Sequence, residues 1–215
     1  MKKFKLLIIS VLLTFLFTGC DSVVFTQVKM SELLNNEEKT LNGLISIEIP
    51  SCNDYEDSRL PSKGLVNMQT NIPLILPDAK YKECYTKKFK SYADFTVPIK
   101  LSKNNNKSDK YIGLGADDAN LLYVYVPEKI QKGIKNMQDK SLVKTNLKVQ
   151  IHLINDLGKP SPKFTAFSLF LRDMPIEVMQ LWLKEDSDPI ITLSDVSVSK
   201  ALNSPFVIVL LKTKE

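Results

Sequence analysis

One histidine, two arginines and three cysteines in 215 residues leave little material for most chemistries. A lone imidazole, His152, lacks the second histidine that a histidine-based metal site would use. Arg59 and Arg172 are the only guanidinium groups, and bidentate contacts to phosphate or guanine rely chiefly on arginine, so nucleic-acid binding is not expected. The chain has no Cys-x-x-Cys pair and no Gly-x-Ser-x-Gly elbow. Gly113-Leu114-Gly115 begins like a dinucleotide loop, but the third glycine and the strand–helix setting are missing. No cofactor, metal or catalytic set is therefore expected. What is present is 44% hydrophobic and 25% charged residues, which excludes a disordered or collagen-like chain and suits one ordinary domain or two small ones. The formal charge of +5 is concentrated at the start: without Lys2, Lys3 and Lys5 the balance is 26 basic to 24 acidic residues.

Those lysines precede a nearly unbroken apolar run from Leu6 to Phe17. Twelve residues are too few to cross about 30 Å of hydrocarbon as a helix, but they suit the apolar region of a secretory signal. The run ends in Leu16-Phe17-Thr18-Gly19-Cys20. Here the sequence resembles a bacterial lipoprotein precursor, with Leu16 and Gly19 in the box before the cysteine and Phe17 departing from the usual small residue. The resemblance implies removal of residues 1–19 and lipidation of Cys20. Asp21, directly after that cysteine, implies retention in the inner membrane, on its periplasmic face, in a Gram-negative host. An ordinary signal peptide or an uncleaved anchor helix are the competing readings. Ser22–Thr26 already reads as a strand, so the folded body begins close to the anchor.

With Cys20 assigned to lipid, Cys52 and Cys84 form an even pair in an oxidising compartment, and a disulfide is expected. A catalytic or metal-binding pair is the alternative, and no histidine lies near either cysteine in the sequence to complete such a site.

Apolar alternation marks strands at 22–30, 43–50, 80–87, 91–101 and 121–126, with Pro98 placing the fourth at an edge. Helical spacing covers 62–72, with Ser62 as N-cap, and the segment after Pro127, where Ile130, Ile134 and Met137 share a face. Residues 145–154 and 163–171 read as a hairpin, 176–184 as a short helix opened by Pro175, and 190–200 with 205–212 as a closing hairpin. The expectation is an α+β fold with short helices on one face of a mostly antiparallel sheet. Its divisions would be 20–101, a linker over 102–119, and 120–215, the two halves being candidate similar subdomains.

Other features have bland readings beside sharper ones. His152 reads as a solvated strand residue, against a serine–histidine–carboxylate triad. Asp54, Glu56 and Asp57 read as an acidic loop with Arg59 as counter-charge, lacking the glycine and terminal glutamate of a calcium loop. Lys80, Lys82, Lys87, Lys88 and Lys90, interleaved with Tyr81, Tyr85, Phe89 and Tyr92, read as a lysine-protected edge, against a surface for anionic lipid or another polyanion. Phe164, Phe167, Phe170, Met174, Met179 and Trp182 read as core, against the lining of an apolar ligand cavity. The body, above all Ser51–Ser62, is similar to small lipoproteins of unknown function from bacterial chromosomes, prophages and plasmids, a likeness that carries no activity. The reading that follows is a non-enzymatic, membrane-anchored envelope protein that binds or modulates another envelope protein, with a carrier of apolar ligands as its rival.

Overall fold

The computed structural model describes residues 21–35, 38–103, 107–140, 146–204 and 207–213. In chain order these form β1 (Asp21–Lys29), α1 (Met30–Leu34), β2 (Lys39–Ile49), α2 (Lys63–Ile75), β3 (Lys80–Lys87), β4 (Lys90–Lys103), β5 (Gly113–Ala116), β6 (Asn120–Tyr125), α3 (Glu128–Lys140), β7 (Asn146–Ile154), β8 (Phe164–Leu171), β9 (Met174–Leu181), β10 (Ile190–Leu193), α4 (Asp195–Asn203) and β11 (Val207–Lys212).

The alternation read from the sequence has a direct cause. Ser22, Val24, Thr26 and Val28 of β1 are buried, and Val24 faces Ile45 of β2 while Ser22 faces Ile47. Successive side chains of a strand point to opposite faces, so one face of each strand enters a shared core. The strands run β10-β7-β1-β2-β4-β5-β6-β11-β8, and a pairing between β8 and β10 closes this path into a nine-stranded barrel. β3 and β9 lie outside the ring, on β4 and β8. Pairing is mostly antiparallel; β1–β7 and β4–β5 are the parallel exceptions. The expected α+β class with a mostly antiparallel sheet therefore holds, and closure adds what strand spacing does not foretell. Both expected halves contribute to one sheet, since β1 pairs with β7 along its whole length.

Two strands carry two partners end to end along one edge. β4 pairs with β3 up to Thr96 and with β5 from Lys100, while β2 occupies its other edge. Pro98 sits in the gap, where the N–H that proline lacks is not needed. The expected edge strand is thus an interior strand with a local edge. β8 repeats the device: Phe164–Ala166 face β11 and Leu169–Leu171 face β10. Between them Ser168, at φ +47°, turns its carbonyl to the Ser194 N–H at 3.3 Å and the Ser197 hydroxyl at 2.8 Å. Ser194 caps α4 by accepting from the Ser197 N–H. β10 and β11 are thus one strand direction interrupted by a helical excursion.

Several segments differ from their sequence reading. Residues 176–184 are not helical: Met174–Leu181 is strand β9. Residues 190–200 are not one strand but β10 followed by the start of α4. β7 and β8 do not pair as a hairpin, and neither do β10 and β11. The helices do not lie on one face of an open sheet, because the sheet has closed. α1 instead buries Met30 and Leu33 near β5 and β6, whereas α2, α3 and α4 cover the barrel interior where β1 begins.

Under those three helices lies an apolar cavity of about 70 Å³, bordered by Val24, Ile47, Ile72, Ile134, Val149 and Val198 among others. Thr26, in the interior and 3% exposed, has a hydroxyl without a hydrogen-bond partner among the described residues. An unpaired buried hydroxyl costs about 1–3 kcal/mol, so Thr26→Val is expected to raise stability by about 1 kcal/mol. The check is the urea midpoint, which should rise with an unchanged slope.

Candidate functional site

Cys20 and the segment before it lie outside the described residues. The first described residue, Asp21, is fixed from three sides. Its N–H donates to Glu48 Oε2 at 3.1 Å, its carboxylate lies 3.5 Å from Lys90 Nζ, and Asn146 Nδ2 approaches it at 3.5 Å. Lys90 also donates to Glu48 at 2.9 Å. That bond to Glu48, with Asp21 adding its charge, holds the Lys90 ammonium above the ordinary lysine range. The chain therefore enters the barrel beside the turn that joins β3 to β4.

Cys52 and Cys84 are joined, with Cα atoms 5.7 Å apart, and the bond fastens the loop after β2 to β3. That loop is ordered by its own polar groups. Asp57 and Arg59 form an ion pair at 2.7 Å, and Asp54 accepts from the Glu56 N–H at 2.9 Å. Asp57 thus has Arg59 as its local counter-charge, and Asp54 orders the turn that follows it. Among the described residues no group of three potential metal ligands comes together.

His152 projects from β7 beside Phe25, with ring centroids 6.2 Å apart, and its Nε2 lies 3.3 Å from Asp188 Oδ2. The side chain is 22% exposed. Among the described residues no serine, threonine or cysteine hydrogen-bonds to this ring, so histidine and carboxylate meet without the third member of a triad. The glycines of Gly113-Leu114-Gly115 are strand residues, each opposite a tyrosine of β6, so they form no phosphate loop.

The six residues read as core or cavity lining divide. Phe164 is buried, but Phe170, Met174, Met179 and Trp182 are exposed, and none of the six borders the cavity. They gather on the β8–β9 hairpin, where Val178 is 62% and Trp182 58% exposed. The outer edge of β9 pairs with no other strand among the described residues. Glu177 is the only charged side chain in this strand, and Pro175 removes one donor. The β3 edge, by contrast, carries Lys80, Lys82, Glu83 and Lys87, the charged pattern that discourages strand addition. Among the described residues the β9 edge is thus apolar and unpaired, where the β3 edge is lysine-guarded. Sequence reasoning missed it because Val178, Met179, Leu181 and Trp182 also fit a helical face.

A family model described as a domain of unknown function, DUF7424, matches residues 23–215, nearly the whole described body. No curated protein and no solved structure matches the chain.

Proposed function

We propose that this chain, which belongs to the DUF7424 family, is a non-enzymatic lipoprotein anchored through Cys20 on the periplasmic face of the bacterial inner membrane, where it binds another envelope protein. The observation that carries the binding half is the exposed apolar β8–β9 hairpin, whose outer edge pairs with no strand among the described residues. Exposed apolar side chains beside an unpaired edge favour protein contact, because the edge offers main-chain hydrogen bonds to an added strand. The anchoring half rests on the Leu16–Cys20 box and the aspartate after it. A carrier of apolar ligands has weaker support. The cavity of about 70 Å³ is less than half the ~150 Å³ that accepts a benzene in an engineered core.

A photocrosslinking residue at Val178, compared with one at exposed Thr70 on α2, tests the binding half in intact cells. A discrete adduct from position 178, absent from position 70 and lost in Cys20→Ala, is the expected result. No adduct from either position would count against protein binding through this hairpin.

A further inference from the structure

We infer that the β3–β4 turn, Lys87-Lys88-Phe89, is a second membrane contact, with Phe89 entering the acyl boundary of an anionic phospholipid bilayer and the two lysines resting on its headgroups. Phe89 is 104% exposed, the most exposed large apolar side chain described. It stands at the tip of a hairpin between Lys88 and Lys90.

The turn is also an unusual place for it. Lys87 pairs with Lys90, leaving Lys88 and Phe89 as a two-residue connection at φ +49° and +64°. That shape favours asparagine followed by glycine, because both central residues occupy the left-handed region. Neither turn residue is a glycine or asparagine, so the local backbone preference does not explain the choice of side chains.

Charge and position agree with the same surface. Lys87 and Lys88 are exposed and have no ion-pair partner among the described residues, whereas Lys90 is committed to Glu48 and Asp21. The bond from Lys90 to Asp21 sets the turn beside the point where the chain enters the fold. The orientation therefore rests on the proposed anchor at Cys20, one residue earlier. A lipid anchor fixes distance but leaves the body free to swivel; a second contact at the same end would fix which way the β8–β9 hairpin faces. Two lysines at an anionic surface strengthen such a contact by roughly thirty-fold, and the effect fades within a Debye length of about 10 Å.

The test uses the full chain, processed in cells and reconstituted into vesicles of phosphatidylethanolamine and phosphatidylglycerol. Phe89→Trp is placed in a Trp182→Phe background, so that the introduced indole is the only one. Blue-shifted emission, quenched by lipids brominated on their acyl chains and weakened by Lys87→Gln with Lys88→Gln, is the expected result. Intact mass reports separately on Cys20. Solvent-like, unquenched emission from a chain that does carry lipid overturns the second contact and leaves the anchor standing. Quenched emission from a chain without lipid supports the second contact and removes the anchor. Equal quenching in vesicles of phosphatidylethanolamine alone overturns the role given to the lysines.

Discussion

Replacing Cys52 and Cys84 together by serine is expected to lower the free energy of unfolding by roughly 3.5–4 kcal/mol, on the loop-closure entropy of a 33-residue ring. The separation of 32 positions encloses α2 and the whole approach to β3. Without the bond, the hydrogen bonds and ion pairs of the loop of residues 51–62 among the described residues are short-range, including the Asn53–Pro61 bridge, the Asp57–Arg59 pair and the cap at Ser62. β3 is the strand most affected, because among the described residues it pairs with β4 alone and lies outside the closed ring. Denaturant titration checks this, with the wild type falling to the level of the double variant when a reductant is added. A wild-type midpoint indifferent to reductant would mean that the bond contributes nothing to the fold.

Substituting Gly113 should cost as much through the opposite mechanism, excess volume. Gly113 pairs with Tyr125 and Gly115 with Tyr123, and each tyrosine ring lies over the glycine opposite it. A Cβ added at Gly113 would fall 2.0 Å from Tyr125 Cζ, and one at Gly115 2.1 Å from Tyr123 Cζ. The Tyr125 ring cannot easily retreat, because its hydroxyl meets Ser102 Oγ at 2.8 Å and accepts from the Ser108 N–H at 2.9 Å. Overpacking costs about 1–3 kcal/mol, and each hydrogen bond lost adds about 1 kcal/mol, so Gly113→Ala is expected to destabilise by about 3 kcal/mol or more. In a Tyr125→Leu background the same change should cost much less, and the difference measures the ring's share. An additive pair would show that the ring is not the obstacle.

The parts of the fold legible in the sequence are those in which one local pattern meets one environment. β1, β2 and β4 alternate because a single face of each lies in the barrel, and Ser62 and Pro127 mark the starts of α2 and α3 as their capping chemistry requires. The cysteine pair was legible by elimination. Where the reading failed, the segment was short and its apolar residues fitted both periods. Val196 and Val198 alternate with serines as in a strand, yet Ser194 caps a helix there. Met174–Leu181 spaces its apolar residues like a helix, yet pairs with β8 throughout. Closure of the sheet was not legible at all, because it depends on pairings between distant segments. Of the candidate site, the charged β3–β4 turn was visible as a string of residues, but its place beside Asp21 was not.

The pairing of the first strand with the seventh has a cost in time. For a chain exported as proposed, β1 reaches the folding compartment ahead of the other described strands, and β2 can cover one of its edges soon afterwards. Its other edge, from Asp21 to Lys29, must wait for Asn146–Ile154. That separation of 125 positions means that most of the chain must arrive before the first strand is covered on both edges. Throughout that interval an apolar strand is half-matched and open to the wrong neighbour, so the growing chain is at its most aggregation-prone before its own completion, and a chaperone would be most useful then.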